Sequence, residues 1–192
     1  MTADREIQFL DSYNAGTAVV PEVVTRLIAD LTAMKFPQME IDEIIIAVDE
    51  ALTNAIQGTL KKQEGVSVCA QNLCRSITVR YRITPEFFDA TFIDHGCGLD
   101  ILKSLKIIPD QASRDYYDQI MSYSSDVEHK KVRLTVNGKE VVLKGIGAGI
   151  KIIIAFMDTI TIDLFDKKDV LSSSVSELTD GTILTITRKR RY

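Results

Sequence analysis

The sequence predicts an α+β fold: a two-layer α/β sandwich in which helices cover one face of a single mixed, mostly antiparallel sheet. Three observations lead there. Two stretches in the first third repeat apolar residues at three- and four-residue spacing, the mark of amphipathic helices. Short runs rich in β-branched and aromatic residues occupy the middle and the end of the chain. The elements come in blocks (strand, helices, strands, helix, strands), which is the order of an α+β chain.

The chain opens with a short edge strand, Glu6 to Tyr13, where Ile7 and Phe9 alternate with polar neighbours. From Val19 to Met34 the apolar positions 20, 23, 24, 27, 28 and 31 have helical spacing, and Pro21 suits a first turn. Phe36-Pro37 is expected to end this helix, because the residue before proline is pushed out of α geometry. The strongest helix follows, about Glu40 to Leu60, with Ile41, Ile44, Ile45, Val48, Leu52, Ala55 and Ile56 on its stripe. Val66 to Ala70, Ser76 to Ile83 and Phe87 to Ile93 read as strands, the last two joined by a turn at Pro85.

Asp94-His95-Gly96-Cys97-Gly98 then stops the strand. The long polar stretch Asp100 to Lys144 carries an expected helix near Arg114 to Tyr123. It also carries a hairpin, Val132 to Val136 and Lys139 to Leu143 around Asn137-Gly138, a strong turn signal. Gly145 to Gly149 opens an almost wholly apolar helix reaching Met157, expected to be buried on most sides. Thr159 to Phe165 and Thr182 to Thr187 complete the sheet across a serine-rich loop. The basic run Arg188 to Arg191 reads as a solvated strand end. The whole of 1–192 reads as one domain, with an insertion at about 100–144.

Composition narrows the classes. Hydrophobic residues at 45% and charged ones at 26% are globular values, which excludes a disordered or fibrous chain. A net charge of −4, from 23 Lys+Arg against 27 Asp+Glu, speaks against direct nucleic-acid binding, and the absence of Trp speaks against stacking platforms. No apolar run approaches the ~18 residues of a membrane span. The charged start, Met-Thr-Ala-Asp-Arg-Glu, lacks the apolar core of a signal peptide. Three cysteines, Cys69, Cys74 and Cys97, at irregular spacing argue against a disulfide framework, so a reducing cytoplasm is expected.

Three features carry chemistry. Glu50 and Asn54 lie four apart in the long helix, one turn apart on one face, where a carboxylate and an amide act together as base and magnesium ligand. A solvated helix face is the simpler reading of that pair alone. Asp94-x-Gly96-x-Gly98 follows a strand: its glycines permit positive φ and close backbone approach, and its carboxylate accepts from a buried donor. A turn capped by Asp94 is the simpler alternative. Gly145-x-Gly147-x-Gly149 opens a helix, where outward N–H groups and the dipole favour phosphate; tight helix packing would use the same glycines. Other motifs fail on detail. A dinucleotide fingerprint would need glycine where Ile150 stands, and the Gly-Lys-Ser/Thr of a Walker loop does not occur.

In order and spacing, these features resemble the N, G1 and G2 boxes of the GHKL ATPase/kinase superfamily. Within it, the chain is most similar to stand-alone anti-sigma factor serine/threonine kinases of bacterial partner-switching systems. Ala47-Val-Asp-Glu-Ala-Leu-Thr-Asn-Ala55 looks like their N box, and Asp180-Gly181-Thr182 is similar to their closing Gly-Thr element. The resemblance implies a Bergerat-type ATP-binding fold, with ATP and Mg²⁺ as ligands. It implies that Asn54 binds Mg²⁺, that Asp94 accepts from the adenine amino group, and that Gly96 and Gly98 let the backbone close on the base. Gly145, Gly147 and Gly149 would shape the phosphate end, Thr182 would lie near adenine, and Lys144 or Lys151 would neutralise phosphate charge. Glu50 would be the general base.

By the same resemblance the substrate is an anti-sigma antagonist-like protein, the sequestered partner a sigma factor, and the kinase a homodimer. Two departures stand out: Gly58 where these kinases commonly carry His, and a long ATP lid at 99–144. They leave open a catalytically inactive, nucleotide-gated binding module. A detached ATP-binding domain of a histidine-kinase relative is the third reading. Acid stability of the phosphate separates the kinases, since phosphoserine survives acid and phosphohistidine does not.

Overall fold

The computed structural model describes residues 6–62, 76–96, 133–136, 139–140, 148–166, 171–172 and 179–191. The strand expected at Val66 to Ala70 and the helix expected at Arg114 to Tyr123 lie outside them. The elements are β1 (Ile7–Asn14), α1 (Val19–Ala33), α2 (Gln38–Lys62), β2 (Ser76–Ile83), β3 (Phe87–Asp94), β4 (Arg133–Val136), β5 (Lys139–Glu140), α3 (Ala148–Phe156), β6 (Thr159–Asp166), β7 (Leu171–Ser172) and β8 (Thr179–Lys189). The strands form one sheet in the order β1-β2-β3-β8-β6-β4-β5, with β7 beside the end of β6.

From β1 to β6 every neighbour is antiparallel, while β4 runs parallel to β6. The two-layer sandwich with a mixed sheet therefore stands. Strand alternation builds it: Ile77, Val79, Tyr81 and Ile83 of β2 are buried, and Arg80 and Arg82 between them are exposed. The buried face meets the apolar stripes of the helices, among them Val23, Leu27 and Leu31 of α1 and Ile44, Val48 and Leu52 of α2. Among the described residues no helix is long and apolar enough to cross a membrane.

Proline does not end α1. The Phe36 N–H donates to the Leu31 carbonyl at 3.1 Å and the Lys35 N–H to that of Thr32 at 2.9 Å, with Lys35 at φ 59°. These are the paired bonds of a Schellman turn, with lysine in the left-handed position that glycine usually takes. The chain has thus left the helix before it reaches Pro37. The hairpin signal holds: Thr135 pairs with Glu140 and Val136 with Lys139, across a two-residue connection. What periodicity could not show is that this hairpin extends the main sheet through β4.

The basic run at the end of β8 also departs from expectation. Arg188 is 1% exposed and pairs with Glu43 of α2, and Arg190 donates to the carbonyls of Met34 and Lys35. These side chains hold the α1–α2 corner to the sheet instead of lying in solvent. A second tie lies nearer the N-terminus. The Tyr81 hydroxyl donates to Asp30 Oδ2 at 2.6 Å, Arg26 reaches the same oxygen at 3.0 Å, and Phe9 stacks on the Tyr81 ring at 4.7 Å. Burial, with the Asp30 bond and charge, pushes the Tyr81 phenol far above its ordinary value. Tyr81→Phe keeps the stacking and removes the bond, so denaturant unfolding should show a loss of about 1–2 kcal/mol. An unchanged midpoint would mean that Asp30 contributes nothing to docking α1.

Candidate functional site

Small residues on one face of α2 open a gap between helix and sheet. Ala51, Asn54, Ala55 and Gly58 line one wall of a pocket, and Phe92, Asp94, Thr182 and Leu184 line the other. The sheet wall comes from register: Phe92 stands opposite Leu184, and Asp94 opposite Thr182, on adjacent antiparallel strands. Asp94 and Thr182 are both buried, so the pocket has apolar sides and a polar end.

Asp94 is the last residue of β3, one beyond the strand end that the sequence suggested. Its Oδ1 accepts the Gly96 N–H at 2.7 Å, folding the chain back on itself. That turn crosses α2 closely. A Cβ on residue 96 would lie 2.6 Å from the Gly58 carbonyl carbon and 2.8 Å from its oxygen, backbone atoms that cannot swing aside. The crossing therefore requires glycine at 96. Among the described residues a Cβ at 58 would meet only Asp94 Oδ1, at 3.6 Å, an ordinary contact.

Beside the pocket, Asn54 Nδ2 donates to Glu50 Oε1 at 3.1 Å. This bond engages the amide nitrogen, so a hard cation would take the Oδ1 oxygen. Glu50 is half-buried, and burial raises its carboxyl above the usual range; the Asn54 bond opposes this and the charge of Asp49 adds to it. The cover is α3. A Cβ on Gly149 would fall 1.8 Å from Glu50 Oε1 and 3.1 Å from Asn54 Nδ2, so any side chain there would displace the Glu50 carboxylate from where it now lies.

The sequence-predicted residues thus divide. Asn54, Asp94 and Thr182 line one pocket, Gly96 shapes its end, and Glu50 and Gly149 lie against Asn54. Gly98, Lys144, Gly145 and Gly147 lie outside the described residues. The simpler reading of Glu50 and Asn54 as a solvated face does not hold, since the two are bonded to each other under α3. Sequence reasoning treated Ala51, Ala55, Phe92 and Leu184 as core or passed over them, and saw in Gly58 only a departure. The small side chains at 51, 55 and 58, spaced as one helix face, were the available signal.

Among the described residues no cluster of three or more His, Cys, Asp or Glu side chains is placed to hold a metal. A cation here would take Asn54 and complete its shell with water and ligand oxygens, which is the habit of magnesium. The donor set is of the kind a nucleotide with a hard cation would take, an amide oxygen at Asn54 with a carboxylate at Asp94 and a hydroxyl at Thr182, while the close approaches at Gly96 and Gly149 are filled by α2 itself.

No protein-family model and no curated protein matches the sequence. Among solved structures, the chain is similar to one chain of the crystal structure of the SiaB-SiaC complex from Pseudomonas aeruginosa. The TM-score is 0.54 at 10% identity, over 94% of this chain and 88% of that one. The likeness spans nearly all of both chains and is a likeness of fold.

Proposed function

We propose that the chain is an ATP- and Mg²⁺-dependent serine/threonine protein kinase acting as a partner-switching regulator. In this reading it phosphorylates an anti-sigma antagonist-like protein and sequesters a sigma factor or other partner. The observation that carries it is the convergence of Asn54, Asp94 and Thr182 on one pocket with Glu50 bonded beside it. Three sequence segments far apart in the chain supply those groups, and they match the N box, the G1 box and the closing Gly-Thr element of the resemblance.

Asp94 and Thr182 form the base-binding end, where a carboxylate selects an amino group and buried apolar walls exclude water. Asn54 offers an amide oxygen at the phosphate end. Magnesium, when bound, neutralises phosphate charge. Glu50 takes the proton of the incoming hydroxyl; burial brings its carboxyl closer to the working range of a base. Partner binding draws support from the fold likeness, since that neighbour was solved as a complex of two proteins.

One observation favours a second reading, a nucleotide-gated module that transfers no phosphate. Gly149 packs directly on Glu50, so α3 shields the base from a protein hydroxyl. Calorimetric titration of Mg-ATP, with ADP for comparison, tests what both readings share. In the Asn54→Ala protein Mg-ATP affinity should fall about tenfold or more, the loss of one charge-assisted contact. Equal affinity in the two proteins would remove Asn54 from the site. Acid-stable phosphate on a serine or threonine of the partner then separates kinase from module.

A further inference from the structure

The two helices that meet at Glu50 are also joined at their far ends. Gly149 of α3 rests on Glu50 of α2. Seven residues on along α3, the carbonyl of Phe156 is joined through Arg188 to Glu43, seven residues back along α2. The helices therefore run antiparallel, with two contacts about two turns apart defining their register. One contact is the candidate catalytic pair, and the other is a single buried guanidinium.

Arg188 is built for that place. Its Nη1 donates to the Phe156 carbonyl at 2.5 Å and its Nη2 pairs with Glu43 Oε2. Phe156 is the last residue of α3, where helix carbonyls lack helical partners and the dipole is negative, so a cation is favoured twice. A planar fork reaches two elements at once, which a point-charge ammonium does less well. Its Nε is buried with no partner among the described residues, so the side chain spends its donors on the two helices.

Ile150, Ile152, Ile153 and Phe156 of α3 are buried and apolar, and apolar burial is non-directional, so the Arg188 tie adds a directional contact that these residues do not supply. A slide of α3 by even ~1.5 Å along its axis would carry Gly149 off the Glu50 carboxylate and change how the first turn of α3 rests on the Glu50–Asn54 pair. A directional, charge-assisted bond at the other end resists that slide.

We propose that Arg188 is a positioning residue for the nucleotide site: by tying the end of α3 to Glu43 it sets where Gly149 stands on Glu50 and Asn54. The inference rests on the nucleotide-site reading above.

Arg188→Met, which keeps an apolar stem and removes both bonds, provides the test, with Arg188→Lys as the conservative variant. Two readouts are needed: amide hydrogen exchange without ligand, and Mg-ATP calorimetry. In Arg188→Met, exchange should quicken in α3 ahead of β2 and β3, and Mg-ATP should bind about tenfold more weakly or worse. Arg188→Lys should recover part of both. Equal quickening in α3, β2 and β3 with unchanged Mg-ATP affinity would show a plain stability role and overturn the proposal. If the unmodified protein binds no Mg-ATP, the nucleotide reading fails on its own, and the exchange pattern still decides whether Arg188 pins α3. Should Arg188→Met not fold, Glu43→Gln weakens the same tie from the other side and must give the same α3-selective pattern.

Discussion

Glu50→Gln should leave Mg-ATP affinity unchanged and slow phosphate transfer to a protein serine or threonine by ~10²–10⁴-fold, the usual worth of a positioned base. Glutamine keeps the shape and can still accept the Asn54 bond through its carbonyl oxygen, but it cannot take a proton. The pH dependence has a definite sign. Burial raises the Glu50 carboxyl above its unfolded value, so transfer should rise with pH through that raised pKa and flatten above it. Stability runs the other way: the contribution of the neutral carboxyl is complete below the unfolded pKa and lost as pH climbs through the folded one. The Gln variant should lose the pH step in rate and unfold at slightly higher denaturant near neutral pH. Acid-stable incorporation measured across pH in both proteins decides it; equal rates would leave the nucleotide-gated module as the better reading.

Gly181→Ala should be the most disruptive single methyl in the described chain. A Cβ there would lie 1.9 Å from the Asp94 carbonyl oxygen and 2.4 Å from Phe165 Cζ. The first is backbone of β3, one strand over; the second belongs to a ring that is 5% exposed and carries the His95 ring edge-on at 5.4 Å. Neither can yield without opening β8 from its neighbours on both sides. The expected cost is about 3 kcal/mol or more, the upper range for forced overpacking. Because Asp94 and Thr182 are the paired residues at this point, any protein that does fold should also bind Mg-ATP poorly. Denaturant unfolding gives the first number, and a loss under about 1 kcal/mol would mean that the strands part here far more easily than close packing allows.

Much of the fold was legible before any coordinates. Ile77, Val79, Tyr81 and Ile83 announce a strand with one buried face, and the stripe from Ile41 to Ile56 announces a helix, because periods of 2 and 3.6 are local properties of the backbone. The Asn-Gly hairpin is local in the same sense. The pairing of Glu50 with Asn54 is equally short-range: a spacing of four puts both on one helix face, and their bond follows. Where the reading failed, the deciding contact lay elsewhere. Arg188 looks like solvated charge until Glu43 and the Phe156 carbonyl are brought to it.

By itself, then, the sequence determined α1, α2 and α3 and strands β1, β2, β3, β6 and β8, the inward faces of β2 and α2, and the short-range pair on α2, while β7, inside the expected serine-rich loop, was not foreseen. Tertiary structure alone decided that Asp94 faces Thr182 across two strands, and that Gly96 crosses α2 at Gly58. It also decided that α3 covers Glu50 and that β4 joins the sheet parallel to β6. The physical reason is the reach of the interactions. Backbone periodicity acts over three or four residues, whereas register, close crossings and the burial of a charge depend on groups far apart in the chain.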